Sequence, residues 1–469
     1  MSNKTKWIFG ISGLGKDMMF AMSTIMSLYL INYVGMSAAF VGLMFMVVRL
    51  WDAINDPIMG AIVDNTKGKW GKFRPWILIG TILNAIILVF VFFNPGFKGD
   101  SIGLMIWVTV FYTLWGMSYT LMDIPFWSMI PALTDVQKER ESVTAITRFF
   151  TSIGYFVISA PPLVLAAFLG AGVFDPEGVA KSAMRSGFLY MAIGVSIIFV
   201  ISQVIMVTNV KEKISAPNTE KITLKGMFGL LKENDQLLVV MLVVVITNFT
   251  LYITSTMAFY YIAYDIGDEG LYLPFIAAGG VVQLLGVAGY KFMSDRFNRK
   301  QIYNISIMIQ VFAFVGLFIN AFILGNSILL MFVFGVPVFF GQGLGMVLTT
   351  VFLTDTVEYG ELKTGKRSEA IVFSVQTFVV KLATGLSMGI VGVGLALFQF
   401  KSDADAEELL DQTNTTIWGI RLMMFILPIL GMMFARYIFN KKHILNEEKY
   451  LEICEELRIK RGEASEERV

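Results

Sequence analysis

Long apolar stretches separated by short polar ones dominate the chain. A membrane span needs about 20 mostly apolar residues. Stretches of that kind fall near 7–32, 38–63, 75–94, 103–131, 147–170 and 186–208. A polar stretch, 210–235, interrupts the series. Six more apolar stretches follow, near 236–263, 271–292, 301–324, 327–355, 370–399 and 416–440, and a charged tail, 441–469, comes last. The pattern predicts an all-α integral membrane protein with twelve transmembrane helices in two six-helix bundles, 1–209 and 236–440. Lys4 and Lys6 before the first apolar run resemble a signal-peptide start. That run carries Lys16 and Asp17 and has no clear small-residue cleavage site, so it reads as a retained first helix.

Basic residues gather in alternate connections. Lys67, Lys69, Lys72 and Arg74 lie between segments 2 and 3, and Lys211, Lys213, Lys221, Lys225 and Lys232 between 6 and 7. Lys291, Arg296, Arg299 and Lys300 lie between 8 and 9, and Lys363, Lys366 and Arg367 between 10 and 11. The 401–411 connection on the other side is acidic. By the positive-inside rule both termini, the 210–235 loop and the tail face the cytoplasm of a multi-pass plasma-membrane protein. The 2–3 and 8–9 loops each open on an aspartate, Asp64 and Asp295, followed by a basic run. That echo predicts two pseudo-symmetric halves, the plan of the major facilitator fold, with the substrate site near the bilayer midplane.

Composition agrees with lipid as the solvent. Hydrophobic residues make up 56% of the 469, and only 16% are charged, against about 25% in soluble domains. A net charge of +1 offers no argument for nucleic acid. One cysteine, Cys454, excludes an intrachain disulfide, and one histidine, His443, gives little basis for a zinc or redox-metal site.

The chemistry lies in charges placed inside apolar segments. An ionisable group there costs roughly 2.5–3.5 kcal/mol and persists where it faces a partner or a cavity. Such groups are Lys16 and Asp17 in segment 1, Arg49, Asp52 and Asp56 in segment 2, Asp123 in segment 4, Arg148 at the start of segment 5, and Lys381 in segment 11. Asp52 and Asp56 are four apart and share a helical face, where a bound cation or proton would relieve their repulsion. Asp123 has Thr120 one turn before it and Trp127 one turn after. That face offers a hydroxyl, a carboxylate and an aromatic plate, which suit a hard cation and a sugar. Thr377 and Lys381 share a face as well. Each charge has a plainer reading as helix-to-helix glue, strongest for Arg49 and Arg148, which could snorkel from a helix end. It is weakest for Asp52 with Asp56, since paired acids repel. Gly10 to Lys16 matches the P-loop spacing, but Asp17 stands where Ser or Thr is needed and no strand precedes it, so nucleotide binding is rejected.

Several motifs together resemble the glycoside–pentoside–hexuronide:cation symporter family, with the melibiose-carrying members nearest. They are Gly15-Lys16-Asp17, Asp52-Ala-Ile-Asn-Asp56-Pro-Ile-Met-Gly, Lys69-Trp-Gly-Lys-Phe-Arg-Pro-Trp-Ile and Tyr119-Thr-Leu-Met-Asp123-Ile-Pro-Phe-Trp127-Ser. Asn234-Asp-Gln, Asp355-Thr-Val-Glu-Tyr-Gly-Glu361 and Ser374-Val-Gln-Thr-Phe-Val-Val-Lys381 complete the set, and Asn248 also matches. The resemblance implies sugar contacts at Lys16, Asp17, Tyr119, Asp123, Trp127 and Arg148, with Met346, Gln376, Thr377, Val380 and Lys381 as the opposite wall. It implies a cation site at Asp52, Asn55, Asp56, Thr120 and Asp123, with Asp52 and Asp56 holding sodium or lithium in exchange with a proton. Met346 stands where such members carry a tryptophan, a departure that puts the second aromatic wall in doubt. The segment Lys363-Thr-Gly-Lys-Arg-Ser-Glu369 is more like that of the lactose and galactoside carriers. Those often carry a C-terminal phosphotransferase-like domain, which has no counterpart up to residue 469.

The function expected is symport of a glycoside, a galactoside such as melibiose first, with Na+, Li+ or H+ by alternating access. No enzymatic activity and no bound cofactor are expected. Carriers of lactose, xylosides, glucuronides or lysolipids are the alternatives. Expected partners are the sugar, a monovalent cation and membrane lipid, with a working monomer. The tail, with Ile453 and Leu457 at helical spacing, is expected to dock on the cytoplasmic loops or to receive a regulator.

Overall fold

A computed structural model describes residues 1–68, 70–97, 101–176, 178–212, 229, 232–400 and 412–460. Lys69, Lys213, Lys221, Lys225 and the acidic 401–411 connection lie outside the described residues. Every apolar stretch coincides with a helix. In the first half these are α1 (Asn3–Thr24), α2 (Ala38–Asp64), α3 (Arg74–Phe92), α4 (Ile102–Leu133), α5 (Gln137–Ser159, then Pro162–Ala171) and α6 (Lys181–Asn209). In the second they are α7 (Asp235–Tyr260), α8 (Tyr272–Ser294), α9 (Arg299–Phe322), α10 (Ile328–Thr364), α11 (Glu369–Leu397) and α12 (Asn414–Arg421, continued by Leu427–Lys442). The tail adds α13 (Glu447–Lys460). Among the described residues, eight helices are by themselves long and apolar enough to span a membrane. The two parts of α5 make a ninth, bent by 61°. The bend falls at Pro161 and Pro162, which supply no backbone donors.

Helix ends depart from the apolar stretches where polar turns prolong the helix. Helix α10 runs to Thr364, past the 355 expected, and α5 starts at Gln137 rather than near 147. Arg148 is therefore about three turns from the start of its helix rather than at its end. Hydropathy marks what lipid covers, whereas the backbone ladder continues for as long as caps permit.

The chain forms two compact units. The N-terminal unit comprises Met1–Phe228 together with Arg367–Phe378, and the C-terminal unit comprises Gly229–Lys366 together with Val379–Val469. The first turns of α11 thus pack with the N-terminal unit, a departure from two contiguous halves. Within the first unit α1 packs on α5 and α6, and α3 on α4 and α6. Within the second, α8 and α9 pack on α10, and α7 packs on α12.

A repeat links the two units beyond their basic loops. The first apolar stretch closes, beyond α1, in a π-helical turn, Tyr29–Val34, stopped by Gly35 at φ 84°, and α7 is continued by another, Tyr261–Ile266, stopped by Gly267 at φ 85°. A glycine suits each stop because positive φ is costly for other residues. Tyr29 donates from its hydroxyl to the carbonyl of Phe92 at the end of α3, 2.8 Å. Tyr261 donates to Asn326 Oδ1 just after α9, 2.5 Å. Arg185 of α6 donates from Nε to the carbonyl of Tyr33, 2.6 Å, while Arg421 of α12 grips the Asp265 carboxylate at 2.7 and 2.8 Å. Each tie joins the same three helices of its half. Only the second uses charge on both sides. Arg421→Gln is accordingly expected to destabilise the detergent-solubilised protein by about 2–3 kcal/mol, and Arg185→Gln by about 1 kcal/mol. Equal shifts in unfolding midpoint would show that the ionic partner adds nothing.

The tail docks within its own unit. Ile453 and Leu457 bury against Tyr359 and Leu445, with Leu362 beside them. Arg299 pairs with Asp355 and lies 5.6 Å from the Tyr450 ring centre, so α13 packs on the C-terminal end of α10. His443, between α12 and α13, stacks on Phe439. Burial, with Lys300 and Arg299 nearby, pulls its pKa down to about 4, so it stays neutral near pH 7.

Candidate binding site of the N-terminal unit

Helix α4 carries the organising stripe. Gly116, Tyr119, Thr120, Asp123 and Trp127 recur at spacings of three and four and so share one face. The lower-numbered part of the stripe meets the acids of α2. Thr120 donates from Oγ1 to Asp56 Oδ1, 2.9 Å, and Asp56 is fully buried. A Cβ at Gly116 would come within 2.8 Å of Asp52 Oδ1, so a glycine at 116 leaves the room the Asp52 carboxylate occupies. Asn55, between the acids in sequence, is half-buried. Two carboxylates and a hydroxyl are oxygen donors, the type that hard cations take.

The higher-numbered part of the stripe meets α1. Lys16 Nζ lies 2.8 Å from Asp17 Oδ1 and 2.6 Å from Asp123 Oδ1, and donates to the Tyr119 hydroxyl at 3.1 Å. Asp123 Oδ1 also accepts from Trp127 Nε1, 3.1 Å. The Arg148 guanidinium of α5 stacks 3.9 Å from the Trp127 ring centre, with Lys16 5.1 Å from the same ring. Lys16 is 3% exposed, so its charge is held by these partners rather than by water. The cluster offers charged donors, a carboxylate acceptor and an aromatic face in one place. A hydroxyl-rich ring needs that combination: its hydroxyls both donate and accept, and its C–H face stacks on π-systems. Thr120 and Asp123 are three apart on α4, so the two clusters lie one helical turn from each other.

The remaining positions divide between the units. Gln376 and Thr377 are half-buried on the part of α11 that packs with the N-terminal unit, Thr377 donating back to the Phe373 carbonyl at 3.0 Å. Val380 and Lys381 are half-buried on the part that packs with the C-terminal unit. Met346 of α10 is half-buried, and its Sδ accepts from Gln283 Nε2 of α8 at 3.0 Å. Gln283 was not singled out from sequence. It is a polar residue in the middle of an apolar segment, and that was the available signal.

Sequence reasoning also missed a second charge cluster in the N-terminal unit. It read Lys72 and Arg367 as topological charges only. Lys72 Nζ lies 2.5 Å from Asp64 Oδ1 and 2.8 Å from Glu369 Oε2, and Arg367 pairs with Glu369. The Asp64 carboxylate accepts from the backbone N–H groups of Ala370 and Ile371 at 3.2 and 2.8 Å. It thereby caps the N-terminus of α11, where the helix dipole favours a negative charge. Arg367 Nη2 donates to the Pro131 carbonyl at the end of α4, 3.0 Å.

Known proteins place this arrangement. A family model for MFS/sugar transport proteins matches residues 8–439. The lactose permease of Leuconostoc lactis is 30% identical over 424 residues, covering 88% of this chain and 63% of that relative's length. The uncharacterized symporter YjmB of Bacillus subtilis is 29% identical over 467 residues, covering 98% of this chain and 96% of the relative. The structure of the MFS proton:xylose symporter XylE superposes with a TM-score of 0.66 over 97% of this chain and 98% of that one. At 14% identity that likeness concerns the fold alone. With twelve matching helices, a repeated half and a family match over nearly its whole length, this multi-pass membrane protein has the major facilitator fold and belongs to the MFS/sugar transport protein family.

Proposed function

We propose that this chain is a cation-coupled sugar symporter of the plasma membrane, with both termini cytoplasmic, working by alternating access. One observation carries the reading: Asp123 is bonded to Lys16 and Trp127 and lies one helical turn from Thr120, which is bonded to Asp56. Sodium, lithium or a proton binds at Asp52 and Asp56, with Thr120 and Asn55 supplying further oxygens. Lys16, Asp17, Tyr119, Asp123, Trp127 and Arg148 hold the sugar, and Met346, Gln376, Thr377, Val380 and Lys381 complete its enclosure. The cation offsets the repulsion of the paired acids and orders the α4 stripe, which raises sugar affinity. By linkage the sugar raises cation affinity by the same factor. A galactoside is the first substrate to try, since a relative carrying lactose matches most of this chain.

The test is uptake of radiolabelled galactosides and xylosides into vesicles, with and without inward sodium, lithium or proton gradients. A several-fold stimulation by at least one gradient is expected. Uptake indifferent to all three would remove the coupling. Asp56→Cys is expected to abolish stimulation while sugar binding persists at reduced affinity. Full stimulation in that variant would move the cation elsewhere.

A further inference from the structure

The C-terminal unit holds a second binding feature, far along the chain from the α4 stripe. A cleft of about 520 Å³ opens beside the last three turns of α12 and is lined by Met433, Arg436, Tyr437, Asn440 and Lys441. Its floor is a polar net shared with the first turns of α9. Asn304 Oδ1 accepts from Arg436 Nε at 2.7 Å and from Asn440 Nδ2 at 2.8 Å, and Asn304 Nδ2 donates to Asn440 Oδ1 at 3.0 Å. Lys300 donates to the Asn440 carbonyl at 3.3 Å, and Lys441 to the Tyr437 hydroxyl at 3.0 Å. All these partners are neutral. Arg436, Lys441 and Lys300 therefore bring three positive charges to one place, and the structure gives none of them an ion pair among the described residues.

The surroundings say what kind of anion fits. Leu430, Met433, Phe434 and Tyr437 recur along α12 as an exposed apolar stripe, 40–65% accessible, running from the span up to the cleft. Such a stripe on a membrane helix faces acyl chains. The cleft therefore sits where the apolar surface of the span gives way to the polar ends of the helices, at the depth of lipid headgroups. A phosphodiester there would meet Arg436, whose planar fork has used only Nε, and the two lysines. Its acyl chains would lie along the stripe. Lone basic residues at helix ends ordinarily snorkel to headgroups without forming a site. Here a fixed amide net, a concave floor and three unneutralised cations coincide.

We propose that the α9–α12 cleft is a binding site for the headgroup of an anionic phospholipid. This assignment does not depend on the transported substrate. The test is titration of the purified full chain in detergent with phosphatidylglycerol and, separately, phosphatidylcholine, followed by native mass spectrometry. The wild type is expected to retain phosphatidylglycerol preferentially. Arg436→Gln with Lys441→Gln is expected to weaken that binding about 30-fold, from the usual contribution of each basic residue at an anionic surface. Phosphatidylcholine retention should be unchanged. Lys441→Glu alone, at an exposed position, is expected to weaken phosphatidylglycerol binding as well. Equal phosphatidylglycerol retention in the wild type and both variants would overturn the proposal. So would displacement of the lipid by millimolar inorganic phosphate, which would make the occupant a soluble anion.

Discussion

Asp123→Asn is expected to abolish sugar accumulation and to remove the cation's effect on whatever sugar binding remains. The carboxylate holds Lys16 at 2.6 Å and Trp127 Nε1 at 3.1 Å, and Lys16 is almost wholly buried. Removing one partner of a buried ion pair costs roughly 3–5 kcal/mol, because the other charge loses its compensation. That corresponds to a loss of sugar affinity of about 100-fold or more. Asp17 alone remains as the carboxylate partner of Lys16, and the ammonium shifts towards it and away from the aromatic face. The same change is expected to reach the proposed cation site, because Thr120 lies three residues away on α4 and donates to Asp56. Trp127→Phe is the control. It removes an N–H donor but keeps a ring beside Arg148, so a loss of about 10-fold in affinity with sodium stimulation intact is expected. Isothermal titration of sugar, with and without sodium, separates the outcomes. An Asp123→Asn protein whose residual sugar binding still responds fully to sodium would show that the two clusters act separately.

The second large effect is expected at Lys72. It neutralises two buried acids, Asp64 and Glu369, at 2.5 and 2.8 Å. Lys72→Met should destabilise the protein by about 3 kcal/mol or more, since Asp64 is left buried without its cation. A charge swap, Asp64→Lys with Lys72→Asp, should fail to restore stability. Asp64 also accepts from two backbone N–H groups at the start of α11, where a lysine would face unpaired donors and the positive end of the helix dipole. Recovery by the swap would mean that only the ion pair matters. The pH dependence carries a sign. Burial alone would lower the Lys72 pKa, but Asp64 and Glu369 raise it above the ordinary 10.5. Its stabilisation is therefore complete below the unfolded lysine's pKa and is lost only as pH rises towards the folded value. Thermal midpoints near neutral pH should not vary on its account.

The apolar stretches, each of which coincides with a helix, and their order were legible because lipid imposes one rule on every segment. About twenty apolar residues must follow one another, and the count needs no partner. Buried charges were legible for the same reason: Lys16, Asp17, Asp52, Asp56, Asp123 and Arg148 stand out against an apolar background. The i, i+4 spacing also placed Thr120, Asp123 and Trp127 on one face before any neighbour was known. The repeated ends of α1 and α7 were present in the sequence too, as Tyr29-Leu-Ile-Asn-Tyr-Val-Gly35 and Tyr261-Ile-Ala-Tyr-Asp-Ile-Gly267. As sequence they share only the first tyrosine and the last glycine, too little to mark a repeat. What makes them equivalent is the hydrogen bonds they form with α3 and α6, or with α9 and α12.

Helix ends differ from the apolar stretches wherever polar turns prolong a helix, as at Gln137 and Thr364. Arg148 consequently changed from a terminal arginine to one deep in α5, stacked on Trp127. Loop charges were read as orientation signals. That reading could not distinguish Lys72, held by two acids, from Lys67 five residues earlier.

Sequence by itself determined the solvent, where the apolar helices lie and which residues carry charge where charge is costly. These are properties of single segments, set by transfer energies and helical periodicity. Tertiary structure decided the partners: which acids Lys16 takes, which helix Asp64 caps, and which lysines have no counterion among the described residues at the α12 cleft. Partners lie tens to hundreds of residues apart, and an ion pair depends on a few ångströms of separation that no one-dimensional pattern contains.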